Sequence, residues 1–290
     1  MIFLFFSILS STAVVVIFKF IEKNRVNTFN AIIINYIAAL CLGFGLNRTG
    51  AFSDISFETW LGPAIVIGIL FVVMFYVIGL TAQKVGVTVS SVAGKMSVVI
   101  PIIFSILYYT EPLGTLKVAG LALALLAVVF TSIRHKSVKI PPKYMLLPFI
   151  LFFGSGIVDS MVKYTQEAFI DDSNIFLFSA VLFSCSAFSG LVARGFTRKP
   201  FKSLLKGKTL LFGTLLGISN WGTLFFFVNA LNHSPFDSSV VFALNNVGIV
   251  ALTAISAIII FREKITRLNW IGIVFSFIAI YILAFTYHNI

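Results

Sequence analysis

Apolar residues in this chain gather into long uninterrupted runs instead of alternating with polar ones. Ten such runs cover residues 1–20, 28–46, 60–83, 86–109, 114–133, 144–168, 174–196, 208–231, 235–261 and 267–287. A bilayer core takes about 20 helical residues to cross, so each run predicts one transmembrane helix. Only Lys84, Val85 and Gly86 separate the third run from the fourth, where Gln83, Lys84 and Gly86 mark a turn. The first run has no basic residue ahead of it and no small-residue cleavage site behind it. It therefore predicts a retained span, not a signal peptide.

The runs repeat. The spacing of Glu111 and Gly120 recurs as Glu263 and Gly272, and that of Ser11 and Lys19 recurs as Ser155 and Lys163. Each half then holds five spans. Five is odd, so the second copy must enter the membrane from the opposite side. The predicted fold is an all-α integral membrane protein of ten transmembrane helices, built as two inverted five-helix repeats. The expected domains are residues 1–133 for the first repeat, 134–143 for a basic linker ending in Pro141 and Pro142, and 144–290 for the second repeat. The remaining loops are short, which predicts that consecutive spans pack as antiparallel neighbours.

Composition agrees with this reading. Of 290 residues, 59% are hydrophobic and 11% charged, and the mean hydropathy is +1.05. A soluble domain of this size could not hide so much apolar surface. The formal charge of +11 invites thoughts of nucleic acid, but its distribution argues against that partner. Loops after the odd-numbered spans carry Lys23, Arg25, Lys84, the basic residues of 134–143, Arg194, Arg198, Lys199, Lys202, Lys206, Lys208, Arg262, Lys264 and Arg267. The opposite loops carry only Arg48 and Lys117, beside Asp54, Glu58, Glu111, Glu167, Asp171, Asp172 and Asp237. By the positive-inside rule the basic face is cytoplasmic and both termini face outward. The basic charges set topology and touch anionic lipid headgroups. Cys41 and Cys185 fall mid-span and predict no disulfide framework.

Polar side chains at mid-span are expensive in lipid and therefore informative. Lys95 sits near the centre of the fourth span and Asp159 near the centre of the sixth. Lys95 either pairs with Asp159 across the repeat interface or meets an anionic group on a substrate, and a pair that opens for substrate would do both. Ser155, Asp159 and Lys163 lie on one face of the sixth span, so Lys163 is an alternative partner for Asp159 at i,i+4. Asp159 is the candidate to take up any coupling proton, and Asp159 and Lys163 together are the candidate switch. Asn35 and Tyr36 in span two, Asn220 and Trp221 in span eight, and Asn245 and Asn246 in span nine complete the candidate substrate-binding set. Interhelical amide bonds offer a structural reading for each asparagine, and Trp221 predicts a cavity wall. Pro101 frees a backbone carbonyl near Ser97 and predicts a kink in span four.

Signs of catalysis are absent. The stretch Ala93 to Ser97 resembles a phosphate-binding loop in part, but Val89 stands where the first glycine belongs and Met96 replaces the hydroxyl residue. His135, His233 and His288 are too scattered to hold a metal. No enzyme activity, cofactor or metal is expected.

The Ser10–Ser11 to Lys19 and Gly154–Ser155 to Lys163 segments resemble the drug/metabolite transporter superfamily, in its EamA-like branch. Glu111 with Gly120, and Arg262–Glu263 with Trp270–Ile271–Gly272, add to the likeness, which covers the whole chain. The resemblance implies a central cavity formed by spans 1–4 and 6–9, peripheral spans 5 and 10, and a place in a bacterial inner membrane. Members move amino acids, other metabolites, drugs, nucleotide sugars or sugar phosphates. The expected function is a multi-pass secondary transporter of small polar metabolites, with amino acids or related carboxylates favoured and export the favoured direction. It would work by alternating access around a midplane site, with proton coupling possible. Lys95 would hold a carboxylate and the amides would orient it. Phe242 to Asn246 resembles the Gly-Ala-Leu-Asn-Lys stretch of nucleotide-sugar transporters without its first Gly and last Lys. A nucleotide-sugar or sugar-phosphate carrier, a lipid-linked group flippase and a non-transporting scaffold are the alternatives.

Overall fold

A computed structural model describes residues 1–46, 59–84, 93–132, 144–170, 174–196, 201–261 and 267–288. Arg48, Asp54, Glu58, Gly86, the linker 134–143, Asp171, Asp172, Arg198, Lys199, Arg262, Glu263 and Lys264 lie outside the described residues.

The described chain is all-α. Its helices are α1 (Ile2–Lys23), α2 (Thr28–Leu46), α3 (Leu61–Lys84), α4 (Ala93–Tyr108), α5 (Thr115–Ser132), α6 (Leu147–Phe169), α7 (Ile175–Gly195), α8 (Gly207–His233), α9 (Ser238–Phe261) and α10 (Arg267–His288). Seven of them, α1–α3 and α6–α9, are long and apolar enough to cross a membrane, while α4, α5 and α10 have shorter apolar stretches. Large apolar side chains such as Phe5, Leu107, Phe153, Phe188, Ile259 and Tyr281 stay exposed. Water would penalise such a surface, and hydrocarbon would not. The protein is a multi-pass membrane protein.

The fourth helix bends where its proline predicts. Pro101 has no N–H to offer the Ser97 carbonyl, which instead accepts from the Ile100 N–H at 2.9 Å, while the Ser97 hydroxyl donates to Gly94 O at 2.7 Å. A turn at Ser97–Val98 therefore separates the helical residues 93–96 from Val99–Tyr108.

Helix neighbours correct one expectation. Most consecutive spans barely touch: α1–α2, α2–α3 and α8–α9 are minor contacts, and α9–α10 is the exception. The main ones run between the halves, with α5 on α10, α1 on α8 and α9, α2 on α7 and α8, α3 on α6 and α7, and α4 on α6 and α9. Backbone approach decides this, because in lipid there is no hydrophobic force to favour sequence neighbours. A Cβ on Gly68 of α3 would stand 2.6 Å from the Leu182 carbonyl of α7, and one on Gly217 of α8 would stand 2.5 Å from the Asn35 carbonyl of α2. The close glycines of α5, α6 and α9 likewise face helices of the other half. The halves are interleaved.

Two apolar clusters result. One joins α2, α3, α6, α7 and α8 around Tyr36, Trp60, Phe178, Phe183 and Trp221. The other joins α1, α4, α5, α9 and α10 around Leu4, Ile102, Phe242 and Leu283. The α5–α10 pair meets the rest of the bundle chiefly through α9.

Candidate functional site

The lipid-facing stripe of α6 is made by Ile150, Phe153, Ile157 and Tyr164, all exposed. Asp159 follows Ile157 by two positions, about 200° around a helix of 3.6 residues per turn, so it points inward. There it lies within Coulombic reach of Lys95 on α4. Gly156, one turn earlier, lets the helices close up, since a Cβ there would meet Ile100 of α4 at 2.5 Å. Lys95 and Asp159 are surrounded by protein at longer range, yet both keep accessible surface.

Buried polar atoms on α2 and α8 have nothing to bond. Tyr36 is fully buried, its ring set against Phe75 at 5.7 Å and Phe183 at 6.2 Å, and its hydroxyl has no partner. Trp221 stacks on Phe225 at 4.8 Å with 10° between planes, and Phe176 continues the stack. The Trp221 Nε1–H donates to nothing in the protein. Asn220 is buried with its Nδ2 unpartnered. Each orphaned buried donor costs on the order of 1–3 kcal/mol unless a ligand or water satisfies it. Ala93, two residues before Lys95, packs against the same apolar cluster that holds Tyr36, Trp221, Val158 and Val162. Tyr36 and Trp221 thus share one apolar cluster, to which the sequence neighbours of Lys95 and Asp159 also contribute, with Asn220 next to Trp221 on α8.

The other candidates fare differently. Asn245 accepts a 3.0 Å hydrogen bond from the Ser7 hydroxyl of α1, and the Asn246 amide donates to Phe242 O on its own helix at 3.3 Å. Their neighbours Phe242, Leu244 and Val247 belong to the second cluster. Asn35 donates weakly to Ile32 O at 3.4 Å, and its Oδ1 is unpartnered. Lys163 does not serve Asp159. It reaches the other way, donating to Glu167 at 2.6 Å and Gln166 at 3.0 Å, with its ammonium 5.0 Å from the centre of the Tyr109 ring. Glu167 is half exposed, so the long side chain brings its charge toward the helix end and water.

Sequence reasoning missed three arrangements. Phe225 lies one turn beyond Trp221, a helical spacing that could have flagged the stack. Gln166 of α6 donates to Asn232 of α8 at 2.7 Å, a bond no local pattern marks. Lys117 and Glu111, placed in the outer loops from sequence, have side chains withdrawn from solvent, only 3% and 8% exposed. The Lys117 ammonium donates to Glu111 at 3.1 Å, to Pro112 O at 3.2 Å and to Asp237. Glu111 in turn accepts from the Ser239 hydroxyl and N–H at the start of α9. At the opposite face, Arg194 is also buried, its guanidinium donating to Ser203 at 2.9 Å. Cys41 and Cys185 are free thiols. Among the described residues no group of three or more His, Cys, Asp or Glu side chains could hold a metal.

No protein-family model matches the chain. An uncharacterized protein of Haemophilus influenzae is 27% identical over 288 residues, covering 97% of this chain and 96% of that protein. A solved crystal structure superimposes with a TM-score of 0.78 at 14% identity, over 99% of this chain and 97% of the other. That likeness establishes a shared fold.

Proposed function

We propose that this protein is a secondary carrier of the EamA-like type, moving small carboxylate-bearing metabolites such as amino acids, with export the favoured direction. The observation that supports the reading is a group of buried donors without partners, on Tyr36, Asn220 and Trp221, in a bundle whose α4 and α6 carry the partly exposed Lys95 and Asp159. Hydroxyl, amide and indole donors together with an ammonium suit a carboxylate, and the Trp221–Phe225–Phe176 stack offers an apolar wall. A non-transporting scaffold would have matched these groups to one another, so their lack of partners argues against that alternative.

Helix pairing supports the inverted-repeat part of the proposal. Advancing each helix of the first half by five, and setting each helix of the second half back by five, turns α1–α8 into α6–α3, α1–α9 into α6–α4 and α2–α8 into α7–α3. It leaves α2–α7, α4–α9 and α5–α10 unchanged. All of these are among the pairs that pack. Such an arrangement gives two near-equivalent bodies that can rock about a site between them. Substrate carboxylate would compete with Asp159 for Lys95, so binding and the state of the pair would be linked.

The test is uptake and counterflow of labelled amino acids and short-chain carboxylates in proteoliposomes. Lys95→Ala should abolish counterflow of a substrate that the wild-type protein moves, while the protein keeps its helical content and monodisperse elution. Wild-type transport by Lys95→Ala would refute the site.

A further inference from the structure

The basic end of the bundle carries a cavity, about 440 Å3 in volume, between the α1–α2 turn and the start of α8. It lies far from the midplane residues. Thr209 on its wall and Asn220 are eleven positions apart on α8, roughly 16 Å at 1.5 Å per residue.

Its wall combines three kinds of group. Arg25, Lys206 and Lys208 supply cations. Arg25 is held at the rim by a helix-ending turn, in which its N–H donates to Glu22 O and the Val26 N–H to Ile21 O, each at 3.0 Å. The turn places Arg25 at φ 54°, a backbone state usually left to glycine. Helix α8, 27 residues long, begins at the cavity with no side-chain cap on its first N–H groups, which together with the macrodipole favour an anion. The third group is an acceptor. Asn30 is 3% exposed and borders the cavity, and its Oδ1 has no hydrogen-bond partner. The amide cannot be turned to hide this, because its Nδ2 donates to the Ser203 carbonyl at 3.3 Å and hydroxyl at 3.0 Å, and a carbonyl only accepts.

Cations and free N–H groups call for an anion, and the orphaned Asn30 oxygen calls for a donor on the same ligand. A bare phosphate or carboxylate meets the first demand and leaves the second. We propose that this cavity binds a phosphate ester bearing free hydroxyl groups, with the phosphate against Arg25, Lys206 and the α8 N-terminus and a hydroxyl donating to Asn30. Two sources share that chemistry: the headgroup of an anionic glycerophospholipid such as phosphatidylglycerol, and a soluble polyol phosphate. The site is independent of the transport reading.

The experiment is a binding titration of delipidated protein by native mass spectrometry. Its probes are phosphatidylglycerol, phosphatidic acid, phosphatidylcholine and, in solution, glycerol 3-phosphate. Saturable binding of phosphatidylglycerol or glycerol 3-phosphate is expected, with phosphatidic acid and phosphatidylcholine weaker. Competition by glycerol 3-phosphate assigns a soluble ligand, and lack of it assigns the lipid headgroup. Arg25→Gly is the clean variant, since glycine adopts the positive φ without strain. It should leave the ligand-free unfolding temperature unchanged or higher while weakening binding about fivefold. Combined with Lys206→Gln the loss should reach about twenty-five-fold, at roughly a fivefold loss per cation. Lys95→Ala should bind as the wild type does. Equal affinity of wild type and the Arg25→Gly, Lys206→Gln variant would overturn the proposal. So would equal binding of phosphatidylcholine, the absence of saturable binding, or its loss in Lys95→Ala.

Discussion

Replacing Lys117 by methionine tests the buried ionic cluster where α5 meets α9. The ammonium and the Glu111 carboxylate have side chains only 3% and 8% exposed, whereas Asp237 is 39% exposed. Removing one partner of a buried pair generally costs about 3–5 kcal/mol, most of it from the charge left behind. Here Glu111 keeps its bonds from Ser239 at the positive end of α9, so the lower end applies and about 3 kcal/mol is expected. Asp237 is screened by solvent, and Asp237→Asn should change stability by no more than about 1 kcal/mol. Glu111→Gln removes the charge that Lys117→Met strands. The double variant should therefore cost less than the two single ones added, by on the order of 1–3 kcal/mol. Reversible unfolding of the four proteins in mixed detergent micelles, followed by circular dichroism, gives the cycle. A Lys117→Met cost below about 1 kcal/mol, or strict additivity with Glu111→Gln, would refute the view that these charges hold α9 to the α4–α5 turn.

Other outcomes follow from the same geometry. Gly68→Ala should destabilise by roughly 1–3 kcal/mol, because the new methyl meets the Leu182 carbonyl, while Gly45→Ala, with nothing within 4 Å, should stay within about 1 kcal/mol of wild type in the same unfolding assay. Ser7→Ala removes the α1–α9 bond to Asn245 and should cost about 0.6 kcal/mol, typical of interhelical bonds in membranes. Trp221→Phe keeps a ring on Phe225 but loses the indole donor, so it should raise the KM for a carboxylate substrate more than it lowers the maximal rate. If proton uptake drives transport, Asp159→Asn should remove the response to an imposed proton gradient and leave counterflow intact. Loss of counterflow as well would assign Asp159 to substrate or to Lys95 instead.

The helices themselves were legible because hydrocarbon imposes one rule on every span. The α2 run 28–46 matches the helix Thr28–Leu46, and most other ends shift by one to three residues. The kink at Ser97 was legible because Pro101 acts on the backbone locally. Neighbours were not, since which glycine meets which carbonyl depends on backbone surfaces far apart in sequence, as Gly217 and Asn35 show. Partners of charges were legible only where spacing left one choice. Lys163 could reach Asp159 or Glu167, one turn away on either side, and the proximity of water favoured Glu167. Lys117 looked like a loop charge because Asp237, its distant partner, carries no local mark of the pairing.

The interleaving of the halves also bears on how the chain is made. Helices leave the ribosome in order, so α1 to α5 enter the membrane before α6 to α10 exist. Until then the glycine faces of α2 and α3 and the Ser7 hydroxyl have no partners, and Lys117 lacks Asp237. The amino-terminal half must therefore wait in the bilayer as loosely associated spans, and most of the tertiary structure must form late, as the second half threads among the first. Two separately synthesised halves would each be incomplete, yet each would carry the surfaces needed to assemble on the other.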